Sequence, residues 1–233
     1  MPFIEYNKKI AEDMYVIRVK GNYKGQQGQF YMVKPVDKAI IIGRPISIHN
    51  IDNDGIEFMY KILGKGSKAL SNLKAFEEID IKGPYGNGYP DLKNKKIALI
   101  GGGTGVAPLY LLSKQLYKDN EIDIHLGFRK EELYFNKYEK YANKLKFHIG
   151  NDITKDLKLD KYDVVLSCGP EIMQEKIYEI CRQKNIMHYA SLEKHMACGI
   201  GACLVCTCDT KQGNKRVCKD GPVFKGEDVF FIE

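Results

Sequence analysis

The sequence predicts a β-barrel plus α/β architecture: an antiparallel barrel over residues 1–92, a parallel-sheet α/β domain over 93–192, and a small cysteine-rich segment over 193–233. Three observations carry this. Strand-like alternation without long helical patterns fills the first ~90 residues. Strand and helix patterns alternate after Lys95. Five of the seven cysteines, Cys198, Cys203, Cys206, Cys208 and Cys218, fall within 21 residues.

In the first segment Ile56, Phe58, Tyr60 and Ile62 alternate with Glu57, Met59 and Lys61, the pattern of a half-buried strand. Gln29–Val33 and Ile46–Ile48 are also strand-like, and Asn53-Asp54-Gly55 marks a turn. A small antiparallel barrel or sandwich fits this spacing. Lys96–Ile100 is then a continuous apolar strand followed by a glycine run. Val106, Leu109, Tyr110, Leu116 and Tyr117 share one helical face. Strand patterns follow at Ile122–Leu126, Leu145–Ile149 and Val164–Ser167, and Met173, Ile177, Ile180 and Cys181 form a second helical stripe, with Pro170 suited to its first turn. Beyond residue 193, cysteine and glycine are too dense for either pattern.

The charge of +6 comes from 36 basic and 30 acidic residues spread along the chain. No block of like charges marks a nucleic-acid arm. No apolar run reaches the ~20 residues of a bilayer span, and the polar N-terminus lacks the apolar stretch of a secretory signal. A cytoplasmic location is expected, where clustered cysteines argue for metal binding over disulfides. Arginine is scarce: Arg18, Arg44, Arg129, Arg182 and Arg216 are all there are.

Cys198, Cys203 and Cys206 have C-x4-C-x2-C spacing, and Cys218 follows after eleven intervening residues. That is the plant-type [2Fe–2S] spacing. Two irons need two thiolates each, and Gly199, Gly201 and Ala202 allow the backbone close to the sulfides. Cys218 is expected on a separate strand beyond a turn near Gln212-Gly213-Asn214. A four-cysteine zinc site stays open as an alternative, though it more often uses paired C-x2-C hooks. Cys208 fits the spacing less well, and Cys181, on an apolar helix face, reads as core.

Gly101-Gly102-Gly103-Thr104-Gly105 joins a strand to a helix, where amides at a helix start suit a pyrophosphate. It matches neither G-x-G-x-x-G nor a Walker loop, and a plain tight turn is the competing reading. Cys168-Gly169-Pro170 ends the next parallel strand. A cysteine there suits packing against a nicotinamide ring, and an ordinary strand–turn–helix also explains it. Arg44-Pro45-Ile46-Ser47 offers a guanidinium for a flavin pyrophosphate and a hydroxyl for the flavin ring. Gly64-Lys65-Gly66-Ser67 opens a short helical pattern, a second candidate anion site. Each of these two is also compatible with a surface turn.

Taken in order, Arg-Pro-Ile-Ser, Gly-x-Gly-Ser, Gly-Gly-Gly-Thr-Gly and Cys-Gly-Pro resemble the ferredoxin–NAD(P)H reductase superfamily, and the likeness covers essentially the whole chain. The run from Glu193 to Cys203, with Arg216–Phe224, narrows the resemblance to the electron-transfer subunits of the NAD-linked, type B dihydroorotate dehydrogenases. The resemblance implies FAD on Arg44, Pro45, Ile46 and Ser47, with Met59, Tyr60 and Lys61 lining the flavin or its phosphate arm and Gly66 and Ser67 on the pyrophosphate. Ser67 stands where threonine is commoner. The [2Fe–2S] cluster falls to Cys198, Cys203, Cys206 and Cys218; His195 is given no role. The implied partner is an FMN-containing catalytic subunit in a heterotetramer of two of each, with electrons leaving through the cluster and FAD to NAD+. No catalytic acid, base or nucleophile is expected. A related reductase subunit is the runner-up: a ferredoxin–NADP transhydrogenase or a sulfide- or hydrogenase-linked diaphorase. The transhydrogenase type usually replaces one cluster cysteine by aspartate. A zinc-bound interaction module is the alternative outside enzymes.

Overall fold

The computed structural model describes residues 2–37, 39–130, 135–150 and 152–231. The chain opens with β1 (Phe3–Lys9), β2 (Met14–Lys20), β3 (Phe30–Pro35), β4 (Arg44–Ile51) and β5 (Gly55–Lys61), then α1 (Lys65–Ser71) and β6 (Ile79–Tyr85). These strands form one sheet in the order β1-β2-β5-β4-β3-β6, antiparallel throughout. The sheet curls until its ends meet: Ile4 N–H donates to Glu77 O at 3.0 Å and Ile79 N–H to Pro2 O at 3.2 Å. Closure leaves little exposed edge. Ile17, Ile48, Ile56, Phe58 and Ile79 fill the interior with no exposed surface.

The turn expected at residues 53–55 is built by its neighbour Asp52, whose carboxylate accepts from Asp54 N at 2.9 Å and Gly55 N at 3.0 Å. Arg18 has a structural task. Its guanidinium donates to Glu5 at 2.8 Å, Asp52 at 2.8 Å and Glu57 at 3.2 Å, binding β1, β2 and the β4–β5 corner together.

The second half contains β7 (Lys96–Gly102), α2 (Ala107–Leu116), β8 (Glu121–Phe128), β9 (Lys144–Ile149), β10 (Val164–Cys168), α3 (Glu171–Gln183) and β11 (Met187–Ser191). All pair in parallel. Side chains alternate across β7: Ile97 and Leu99 pack with α2, while Ala98 and Ile100 pack with α3. The sheet is thereby covered on both faces at its centre, which is why β7 and β10 read as continuous apolar runs. Val106 and Tyr117, expected on the helix, flank it: Val106 ends a 3-10 turn over Gly103–Val106 and Tyr117 caps the C-terminus. Pro170 precedes α3 as its N-cap.

The cysteine-rich run adds β12 (Thr207–Cys208), β13 (Lys215–Arg216), α4 (Val217–Asp220), β14 (Val223–Lys225) and α5 (Gly226–Val229). β12 and β13 form a hairpin turning near Gly213, whose φ is 87°. Cys218 lies on α4 just past the hairpin, not on a strand as expected, and the helix lets it turn back toward Cys206. β14 then pairs antiparallel with β11, giving the order β14-β11-β10-β7-β8-β9. Phe30 and Met32 of the barrel pack with Ala190, Cys206, Val217 and Cys218, so this run is seated on both larger units.

Candidate functional site

Strand order places the site. From β7 the chain runs outward to β8 and β9, then crosses back to β10 on the other side of β7. At such a reversal the loops leaving the two central strands diverge and open a crevice at their C-terminal ends. Gly101 of β7 lies beside Cys168 of β10, so the glycine run and Cys168-Gly169-Pro170 face each other across it.

Most glycines of the run serve that approach. A Cβ on Gly105 would stand 2.3 Å from Cys168 O, one on Gly102 2.6 Å from Met173 Sδ, and one on Gly101 2.7 Å from Leu109 Cδ1. Gly169 is equally confined, 2.9 Å from Gly102 O, at a φ of 146°. Gly103, at a φ of 58°, has open space around its Cα and is exposed. The run is expected either to offer its amides to a pyrophosphate or to be a plain tight turn; in the fold the space at the Cα of Gly101, Gly102 and Gly105 is taken by packing, and Gly103 and Thr104 form the accessible tip.

The barrel supplies the opposite wall. β4 pairs with β5 only from Ile48↔Phe58 onward, while Arg44–Ser47 pair with β3 instead. The strands thus part where Arg44–Ser47 and Met59–Lys61 lie, and a cavity of about 620 Å³ opens between barrel and crevice. Its walls include Arg44, Pro45, Ile46, Ser47, Met59, Tyr60, Lys61, Gly66, Ser67, Thr104 and Cys168. This volume is in the range of small-molecule and cofactor sites.

At one end, Arg44 lies across Gly66. A Cβ there would be 2.2 Å from Arg44 Nε, so only glycine lets the guanidinium settle on the start of α1. The first amides of α1 lack helical partners, and together with Arg44 they make an anion cradle. The Ser67 hydroxyl is committed elsewhere: it accepts from Leu63 N at 2.8 Å and Gly64 N at 3.1 Å and donates to Gly64 O at 3.1 Å. It shapes the cradle from inside, and what Ser67 can offer an anion is its backbone N–H. Lys61 is paired with Asp13 at 2.9 Å, and the Tyr60 hydroxyl donates to Asn7 at 3.0 Å. At the other end burial pushes the Cys168 thiol well up, keeping it protonated. Sequence reasoning missed Ala107, Ser191 and Glu193–Met196, which also line the cavity. Partial desolvation raises the Glu193 carboxyl.

Met196, two residues before Cys198, joins this cavity to the cysteine loop. The four thiols stand as two pairs: Cys203 N–H donates to Cys198 Sγ at 3.4 Å, and Cys218 N–H to Cys206 Sγ at 3.4 Å. Backbone N–H groups of Ile200 and Cys203 bring the Cys198 thiol down to about 6. Burial and the Cys206 thiol push Cys218 up to about 12. Gly199, Gly201 and Leu204 have φ of 74°, 80° and 60°, which turns the loop's amides inward. Among the described residues no three metal-ligating side chains converge on one point. Paired thiols inside an amide-lined loop fit a cluster with two thiolates per iron better than one tetrahedral zinc ion. Cys203 is exposed, Cys206 and Cys218 are buried, and Cys208 is buried in β12. Among the described residues no helix is long and apolar enough to cross a membrane.

Residues 193–230 match the family model for the iron-sulfur cluster binding domain of dihydroorotate dehydrogenase B. A Clostridium acetobutylicum protein named dihydroorotate dehydrogenase B (NAD(+)), electron transfer subunit, is 44% identical over 96% of this chain and 94% of its own length. The protein of that name from Clostridium perfringens is 40% identical over 98% of this chain and 96% of its own. Among solved structures, the NADH-dependent reduced ferredoxin-NADP oxidoreductase superposes with a TM-score of 0.89 at 26% identity, over 98% of this chain and 89% of that one. The ferredoxin-NADP+ reductase of Plasmodium falciparum shares the fold, with a TM-score of 0.64 over 78% of this chain and 90% of that one at 20% identity. Identity at this level along nearly the whole chain, with a cluster loop and a two-walled cavity in the same molecule, leads to one conclusion: the chain belongs to the family of dihydroorotate dehydrogenase B (NAD(+)) electron transfer subunits.

Proposed function

We propose that this chain works in the cytoplasm, carrying electrons from an FMN-containing dihydroorotate dehydrogenase catalytic subunit to NAD+ in pyrimidine biosynthesis. The observation that carries the reading is continuity: one cavity takes its walls from the barrel, from the ends of the parallel strands and from residues 193–196, which lead directly into the cysteine loop. FAD, when bound, supplies two-electron exchange with a nicotinamide and one-electron exchange with the [2Fe–2S] cluster.

The chain's own residues bind, orient and exclude water. Arg44 and the free amides of Gly66 and Ser67 hold the FAD diphosphate. Pro45, Ile46 and Ser47 border the flavin on one side, Met59, Tyr60 and Lys61 on the other. Gly103 and Thr104 meet the nicotinamide nucleotide, on a frame set by Gly101, Gly102, Gly105, Gly169 and Pro170. Cys168, held as a neutral thiol, packs against the reacting rings and does not attack them. Cys198 and Cys203 hold one iron and Cys206 and Cys218 the other, each thiolate steadied by loop amides.

Electron hopping requires the partner's redox centre close to the cluster. The loop offers a face for it: Cys203 is exposed among Ile200, Leu204 and Val205, which are 57%, 62% and 55% exposed. Apolar side chains this open suit burial against the catalytic subunit, in a heterotetramer of two of each.

The test is reconstitution. The isolated chain should oxidise NADH with an artificial acceptor and leave dihydroorotate untouched, because the acid–base step on that substrate falls to the catalytic subunit. Adding the catalytic subunit should restore NAD-linked dihydroorotate oxidation. Dihydroorotate oxidation by the isolated chain, or capture of a hydrogenase-like subunit in place of the catalytic one, would overturn the proposal.

A further inference from the structure

One fully buried polar group between the two large units has no part in the mechanism above. His49, with no exposed surface, lies on β4 two residues past Ser47. The β4–β5 register shifts between Ile48 and Asn50, a bulge at His49. Bulges re-aim side chains, and this imidazole crosses to the α/β unit. Its Nδ1 is 2.7 Å from Ala107 O, at the first residue of α2. A carbonyl only accepts, so Nδ1 carries the proton and Nε2 keeps its lone pair. Lys137 Nζ lies 2.7 Å from that Nε2. Tyr110 stacks on the imidazole at 5.1 Å between centroids, and Lys137 Nζ stands 4.4 Å from the Tyr110 ring centre. The preceding carbonyl is held as well: Tyr138 OH donates to Val106 O at 2.8 Å.

The two carbonyls that close the glycine turn are therefore each fixed by a buried side chain, one of them from the flavin-side strand. Ala107 and Thr104, on either side of the junction, both line the cavity. Apolar packing would join the two units at lower desolvation cost. A satisfied polar set adds direction, because only one orientation of the imidazole serves both the carbonyl and the ammonium. Burial and the Lys137 charge bring the His49 pKa down to about 3, so the arrangement holds at neutral pH.

We propose that His49, with its tautomer fixed by Lys137, is a positioning residue that holds the Gly103–Ala107 turn at a set distance from the flavin-side strand and so sets nicotinamide against flavin. The proposal rests on the reading that both bind in this cavity.

The experiment compares wild type, His49→Leu and His49→Asn as full chains, matched for FAD and iron content. Asn places an amide N–H near the Nδ1 position. Single-turnover flavin reduction by NADH is measured beside amide hydrogen exchange over residues 103–109. His49→Leu should slow hydride transfer at least about tenfold, since small displacements of reacting groups cost that much or more. It should also speed exchange in the turn by a similar factor, and leave flavin reduction through the cluster within about twofold of wild type. His49→Asn should recover most of both losses. Should His49→Leu fail to retain FAD, Lys137→Met removes the tautomer lock and should reproduce its effects more weakly. Wild-type hydride transfer and turn protection in His49→Leu or Lys137→Met would overturn the proposal, as would slow transfer with an unchanged turn. If NADH does not reduce the wild-type flavin, the reading of the cavity falls, and the exchange data still decide whether His49 holds the turn.

Discussion

Acid should weaken this fold by a calculable amount, because three histidines are buried in a form that refuses a proton. Burial takes His49 and His188 down to about 3 and His125 to about 4. Their exposures are 0%, 4% and 5% for His49, His188 and His125, so solvent screens little of the effect. For each, the folded pKa lies below the unfolded value of about 6.5. The unfolded chain therefore binds more protons, and the stability present above pH ~6.5 drains away as pH falls toward the folded pKa. Between pH 7 and pH 5 one such group costs about 2 kcal/mol, and the three together about 5–6 kcal/mol. His188 isolates a single contribution. Ser167 donates its hydroxyl to Gln174 Oε1 at 3.0 Å, so it must accept from His188 Nε2 at 2.8 Å, which leaves Nδ1 unprotonated. His188 Nδ1 has no hydrogen-bond partner among the described residues. His188→Gln should remove about a third of the histidine-linked pH dependence, about 2 kcal/mol between pH 7 and 5. Urea unfolding of the full chain followed by circular dichroism measures this in a variant-minus-wild-type difference, which cancels the acid response of the other groups. Parallel profiles separated by a constant offset would refute the argument.

Gly66→Ala should cost at least about tenfold in FAD affinity with little change in melting temperature, because the new methyl occupies the Arg44 guanidinium's seat; equilibrium dialysis of FAD checks it, and unchanged affinity would remove Arg44 from the diphosphate site. Cys203→Ser should lose the visible spectrum of the cluster while Cys181→Ser, buried in the α3 core, keeps it; equal iron in both would break the ligand assignment. Gln174 has no exposed surface, accepts from Ser167 Oγ and donates to Gly169 O at 2.9 Å and Ser191 O at 3.0 Å. Gln174→Ala should cost about 3–5 kcal/mol from three lost bonds and the cavity left behind, read as a fall in melting temperature of roughly 10 °C. A fall under about 3 °C would mean that water replaces the amide.

What the sequence disclosed depended on how local the cause was. The cysteine spacing was readable because one short loop must wrap the metals, so the ligand pattern is written in consecutive residues. The central strands β7 and β10 were readable because burial on both faces leaves them continuously apolar, whereas β11, with Met187 exposed and Tyr189 half-buried, was not. β1 was not, since only Ile4 of its seven residues is buried. Glycines 102 and 105 announced a turn but not its reason, which is contact with Met173 and Cys168 more than sixty positions away. Ser67 is expected on the pyrophosphate, and only the folded turn shows its hydroxyl already accepting from Leu63 and Gly64. Glu193–Met196 carry no periodic signal and become a wall only when the chain passes the barrel. His49 directly follows the strand-like Ile46–Ile48, and the bulge that redirects it leaves no mark in the sequence pattern.

The antiparallel strand β14 has a consequence for assembly. Ser191 and Val223 are paired across the β11–β14 ladder, so the whole cysteine-bearing excursion between them starts and finishes at one point of the sheet. Anchored at both feet, the excursion is a closed loop whose closure entropy grows only slowly with its length. The polypeptide can complete its sheet first and receive iron afterwards, and insertions at the hairpin tip near Gly213 should be well tolerated. Truncation is a different matter. Ending the chain at Leu192 would strip β11 of its neighbour and bare the ladder of a strand containing the buried Ala190, an open edge that invites pairing with other chains. Shortened forms should therefore precipitate for a reason unrelated to the loss of iron.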